Sequence, residues 1–248
     1  MQKPSFHVLL LQQEFGPFRR TFHLTLLSDS QHGLTLIDTG LPGAEMQILD
    51  FIQQLGHDTS DLKAIVLTHS DIDHAGSARA LQDLTGAQVW AGLEEKPQLE
   101  GTLPPLRTPP AHLLAQLPAE LALQLGRGSV PVQVNRTLSE GEVLPGGWKV
   151  IFTPGHTPGH LSVFHPDTGV LVAGDAVMVK EGRAVFPDNS MDVAQATHSL
   201  SRLAGLDVQH LIAHHGGEVS GGNVLDAWSS PERVKNRGVP GCPDTALK

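Results

Sequence analysis

The chain has 248 residues with an ordinary apolar content and a formal charge of −9, enough for one sizeable domain with a buried core. The acidic balance gives no electrostatic reason to bind nucleic acid or an anionic membrane. The single cysteine, Cys242, excludes an intrachain disulfide, the opening apolar run is too short for a signal-peptide core, and no stretch approaches a membrane span, so a cytoplasmic protein is expected.

The N-terminal part reads as three strands, residues 6–11, 21–28 and 33–40, separated by turn-forming residues. Leu41, Ala44, Ile48, Phe51, Ile52 and Leu55 then recur at helical spacing, with Pro42 at the start and Gly56 at the stop. The run AIVLT, 64–68, is short and continuously apolar, as in a strand buried on both faces. A helix over 74–85 and a strand over 87–92 follow. From Leu93 to about Val134 the pattern decays into a proline-rich insertion around one short apolar helix, the kind of segment that forms a lid or a binding loop. Three strands in succession, WKVIF, HLSVFHP and GVLVAGD, resume the regular structure, with Trp90 and Trp148 expected in the core. Asp192 is placed to cap a helix running to about residue 207, with Gln195 completing a capping box. VQHLIAHHGG is the last strand. The expected organisation is one α/β layered domain over 1–228, with 93–134 as its insertion, and a polar tail over 229–248.

Chemistry concentrates where strands end. LTHSDIDHAG, 67–76, brings His69, Asp71, Asp73 and His74 together directly after the buried strand. Imidazoles and carboxylates in such a cluster are what a divalent cation needs. Residues two apart in an extended segment point the same way, so His69 and Asp71 can share one ion, while Asp73 and His74 can face a second. TPGHTPGH, 153–160, presents His156 on a tight turn; Asp175 ends the strand VLVAG; His214 and His215 end another.

This ordered set of I-D-T-G, T-H-x-x-x-D-H-A-G, T-P-G-H-T-P-G-H, G-D and H-G resembles the metallo-β-lactamase superfamily over residues 37–216. The resemblance implies a four-layer αββα sandwich holding two divalent ions. One would take His69, Asp71 and His156 and the other Asp73, His74 and His215, with Asp175 bridging both. The glycine that follows the last histidine in the family selects His215 over His214. Asp38 is expected to orient a ligand rather than touch metal, and His160 to lock its turn by hydrogen bonds. The common motif has histidine where this chain has Asp71. A carboxylate there is compatible with a two-metal site but favours manganese or iron relative to zinc, the ion otherwise expected.

The resemblance implies a metal-dependent hydrolase, in which a water bridging the two ions acts as hydroxide on a small ester, thioester or lactone. Asp73 would serve as the proton-transferring group. Polymer nucleases are disfavoured by the charge, and the tyrosine used by acyl-homoserine lactonases is missing, since the chain has none. Only residues 216–248 follow the last ligand, which argues against the helical extension of glyoxalase II. A non-haem iron or manganese oxidoreductase of the same fold and a phosphodiesterase are the alternatives. The expected partner is a small molecule, with no nucleic acid and no membrane; a homodimer is compatible with the sequence.

Overall fold

The computed structural model describes residues 5–187 and 189–228. The tail expected over 229–248, with Cys242, lies outside the described residues. Two six-stranded sheets form the centre of the molecule. In the first, β1 (Ser5–Phe15), β2 (Phe18–Asp29) and β3 (Gly33–Ile37) run as an antiparallel meander. It continues in parallel through β4 (Leu62–Leu67), β5 (Gln88–Gly92) and β6 (Val134–Leu138).

The parallel connections are helical, as parallel pairing requires. Helix α1 (Glu45–Gln54) links β3 to β4. The next crossover holds α2 (Ile72–Ala75) and α3 (Ala78–Thr85), so the single helix expected over 74–85 is interrupted at Gly76 and Ser77. Gly76 lies against Pro42, where a Cβ would come within 2.5 Å of the proline ring, and Ser77 Oγ is committed to Leu41 O and the Ala44 amide. The insertion between β5 and β6 contains α4 (Lys96–Leu99), α5 (Ala111–Leu114) and α6 (Ala119–Arg127). One apolar helix expected there is two, because Pro118 cannot continue a helix and instead starts the second.

The second sheet contains β7 (Val143–Leu144), β8 (Trp148–Phe152), β9 (Leu161–His165), β10 (Val170–Val172), β13 (His210–Ala213) and β14 (Gly217–Ser220), in the order β14-β13-β10-β9-β8-β7. A separate hairpin, β11 (Met178–Lys180) with β12 (Arg183–Val185), follows β10. Helix α7 (Val193–Ala204) is capped by Asp192, whose side chain accepts from the Gln195 amide at 2.9 Å.

The strands alternate between two interiors, as the period of two demands. In β4, Ala64 and Val66 face the second sheet while Ile65 and Leu67 face α1 and α3. In β10, Val170 and Val172 face the first sheet while Leu171 faces α7. The result is a four-layer αββα sandwich, with Trp90 and Trp148 in the layer between the sheets. Strands buried on both faces give the stiffest available frame, and at one edge of it the chain leaves β3, β4, β8, β10 and β13 in the loops that carry the candidate ligands.

Candidate metal centre

Each candidate side chain is delivered by a strand end. Asp38 follows β3 with φ +61, a left-handed conformation that few non-glycine residues hold without a compensating contact. Its carboxylate is fully used: Oδ1 accepts from the Thr68 amide at 2.8 Å and Oδ2 from His74 Nδ1 at 2.9 Å. The Thr68 hydroxyl donates to Asp38 at 2.9 Å and lies 3.0 Å from His69 Nδ1. These contacts place the proton of both His69 and His74 on Nδ1 when the rings are neutral. The lone pairs of both Nε2 atoms then point away from Asp38.

Both Nε2 atoms, together with Asp175 Oδ1, are buried without a hydrogen-bond partner. Unpaired buried polar atoms are costly, and a cluster of three aimed at one place fits a bound cation. Ligand-type atoms of His69, His156 and Asp175 lie within 4.8 Å of one another, as do those of Asp73, His74, His214 and His215. Asp175 stands between the two groups: Oδ1 is 3.3 Å from His74 Nε2, and Oδ2 is 3.4 Å from His156 Nε2 and 3.5 Å from His215 Nε2. The structure thus brings all seven residues expected as ligands to one pocket.

Asp71 is the N-terminal cap of α2, yet its side chain caps nothing. Oδ2 turns instead into the pocket, 3.5 Å from His69 Nε2 and 3.3 Å from His156 Nε2. His215 Nε2 lies 3.2 Å from Asp73 Oδ2. His214 is differently engaged: its Nε2 donates to the Asp73 carbonyl at 3.0 Å, and its ring stacks on His74 with centroids 3.7 Å apart. Gly216 has φ +94, and a Cβ there would overlap the Val179 carbonyl oxygen, which explains why glycine follows His215. His160 donates through Nδ1 to Thr153 Oγ1 at 2.8 Å and accepts the Asp175 amide on Nε2 at 2.9 Å, so neither nitrogen is free for an ion.

The charges follow the same geometry. Burial opposes ionisation of Asp71, but the facing His156 and His69 rings and the positive charge of Arg107 hold its carboxyl below the usual carboxylate range. Burial also disfavours charge on Asp175, and the neighbouring His215 and His74 outweigh it, pulling the carboxyl well down. His215 is pushed up to about 10 because Asp175 and Asp73 overcome its burial. Burial and the neighbouring histidines instead keep His160 and His214 well below the ordinary histidine value, hence neutral.

Two residues of the site were not read from the sequence. Glu95 is completely buried and clamps two ligand loops, accepting from the Ser70 amide and the Gly159 amide at 2.9 Å each. Arg107 belongs to the insertion; its Nε lies 3.5 Å from Asp71 Oδ2 and a terminal nitrogen 3.0 Å from His156 Nδ1. Its one sequence signal is the setting PPLRTPP, where prolines stiffen the chain on either side of a lone cation. Above the pocket lies a cavity of about 220 Å³ bordered by Asp71, Asp73, Asp175 and His215. Its apolar walls include Phe22 and Ile72, and the insertion supplies Arg107, Leu113 and Leu117.

The family model described as "Metallo-beta-lactamase superfamily" matches residues 20–215. The chain belongs to the metallo-β-lactamase superfamily. Its class is accordingly that of a metallo-hydrolase enzyme with a His/Asp cluster able to hold metal. Among its superfamily relatives is the probable metallo-hydrolase YflN of Bacillus subtilis (strain 168), 32% identical over 79% of this chain and 80% of that protein. The hydroxyacylglutathione hydrolase GloC of Haemophilus influenzae is 27% identical over 77% of this chain and 84% of its own length. Among solved structures, TTHA1623 in a di-iron-bound form superposes with a TM-score of 0.64 at 26% identity, covering 91% of this chain and 100% of that one.

Proposed function

We propose that the protein hydrolyses a small ester, thioester or lactone with two divalent ions, one held by His69, Asp71 and His156, the other by Asp73, His74 and His215, and Asp175 shared. The observation that carries this reading is the convergence of three buried, unpartnered ligand atoms, His69 Nε2, His74 Nε2 and Asp175 Oδ1, on one pocket. Bound there, divalent ions would act as Lewis acids and bring a water's pKa toward neutrality.

The protein's own groups do the rest. Asp38 and Thr68 fix the rings of His74 and His69 so that no reorientation is needed when an ion arrives. Asp73 keeps a partly exposed carboxylate at the cavity floor, where it can take a proton from the attacking water and return it to the leaving group. Phe22, Ile72, Leu113 and Leu117 offer an apolar wall for the acyl portion and keep bulk water from it.

The thioester branch gains weight from GloC. That relative is named for hydroxyacylglutathione hydrolysis, and this chain covers 84% of its length. Asp71 and the di-iron neighbour support a second reading, an iron-dependent oxidoreductase on the same site. A panel of p-nitrophenyl esters, acyl thioesters and lactones, run on zinc-, manganese- and iron-loaded protein with oxygen uptake recorded, separates the two. Hydrolysis that chelator abolishes and metal restores is the expected result. Oxygen consumption without hydrolysis would replace it with the second reading.

A further inference from the structure

Asp71 puts a negative charge where an imidazole would be neutral, and a positive charge stands directly against it. Arg107 Nε is 3.5 Å from Asp71 Oδ2, and among the described residues no other acid lies within ion-pair distance of that guanidinium. Neither side chain is free in solvent: 22% of the arginine side chain and 14% of the aspartate side chain are exposed. The same guanidinium reaches both ring nitrogens of His156. His156 Nε2 has one lone pair and cannot serve the guanidinium and an ion together, whereas a carboxylate can accept from an arginine and bind an ion at once. The contact compatible with a loaded site is therefore the one to Asp71.

We propose that Arg107 is the charge counterpart of Asp71, a positioning residue through which the 93–134 insertion sets the affinity and metal preference of the ion site formed by His69, Asp71 and His156. The two side chains form one unit: Asp71 adds a negative charge to the site, and Arg107 returns a positive one and steers the carboxylate. Restoring histidine alone would leave the guanidinium facing an imidazole and an ion, with no anion to offset it. Removing the arginine alone would leave the extra carboxylate unopposed, and the site would hold any divalent ion more tightly.

The inference rests on the two-ion reading above, and the test separates them. Zinc and manganese affinities are measured by competition with a chromophoric chelator for the wild type, Asp71→His, Arg107→Leu and the double variant, with circular dichroism to verify folding. Arg107→Leu should tighten both metals by about tenfold, and Asp71→His should weaken them by about tenfold. The double variant should return to within a few-fold of wild type with zinc now preferred over manganese. Unchanged affinities in Arg107→Leu, or a double variant that binds no more tightly than Asp71→His, would overturn the inference and leave the two-ion reading standing. A wild type that binds neither metal would remove both. If Asp71→His does not fold, Arg107→Lys against Arg107→Leu decides the matter. The lysine variant should stay within a few-fold of wild type while the leucine variant shifts, and equal affinities in all three proteins would overturn the inference.

Discussion

On one side of Asp175, His74 and His215 are held by groups that belong to the sheets. Asp38 fixes His74 from the end of β3, and His215 sits at the end of β13 beside Phe22 of β2. On the other side, Asp71 and His156 share their polar atoms with Arg107, which arrives from the insertion between β5 and β6. The two sides use the same ligand chemistry at the same sheet edge but differ in what stands behind the ligands. One is braced by strands buried on both faces. The other keeps one such brace, Thr68 on His69, while its Asp71 and His156 face a connecting segment, where changes of sequence and length cost the core little.

The largest effect should come from the residue common to both sides. Asp175→Ala should drop metal content from about two equivalents to below about half, because each ion loses a ligand and a buried counter-charge together. Elemental analysis checks it, and retention of a full equivalent would mean that the two sides do not depend on a shared carboxylate.

The strand-braced side can be tested alone. His215→Ala should leave about one equivalent while His214→Ala leaves about two, since His214 Nε2 is already spent on the Asp73 carbonyl. The reverse pattern would exchange the two histidines' roles.

A smaller effect is expected one layer further out. Asp38→Asn keeps the shape but weakens the orientation of His74, and should cost about 10–100-fold in affinity for the ion on His74 and less for the other, whose His69 Asp38 reaches only through Thr68. An equal loss for both ions, seen as a single shifted step in a metal titration, would show that the two sides are not separable at this level.

The last effect is a slope with pH. Asp175 and Asp73 hold His215 at about 10 against its burial, so in the metal-free protein it carries a proton throughout the neutral range. That proton must leave when the ring takes an ion. Affinity should therefore rise as pH increases from about 6 to about 8, approaching tenfold per pH unit for one coupled proton. Calorimetry in buffers of different ionisation enthalpy counts the released protons, and none released near neutrality would contradict the assignment.

Much of this was legible in the sequence because it is local. Buried strands such as AIVLT announce themselves as apolar runs, and a histidine or aspartate directly after one must sit at a sheet edge. The family resemblance then ordered Asp38, His69, His156, Asp175 and His215 around one site, and the structure brings them together there. Strands β6, β11, β12 and β14 were missed for the opposite reason: VNRTL has a polar, exposed middle, and β11, β12 and β14 span three or four residues each. Pairing across the chain, not local pattern, makes them strands. Glu95 and Arg107 escaped in the same way. A buried glutamate clamping Ser70 to Gly159, and an arginine meeting a carboxylate thirty-six positions before it, are tertiary facts with almost no local mark.

The most direct test of the site is a metal titration of the intact protein, purified with chelator and reconstituted with zinc, manganese or iron, followed by elemental analysis. Six ligand-type residues gathered around Asp175 predict close to two equivalents per chain, lost together in Asp175→Ala. Less than about half an equivalent of every metal after reconstitution would contradict it.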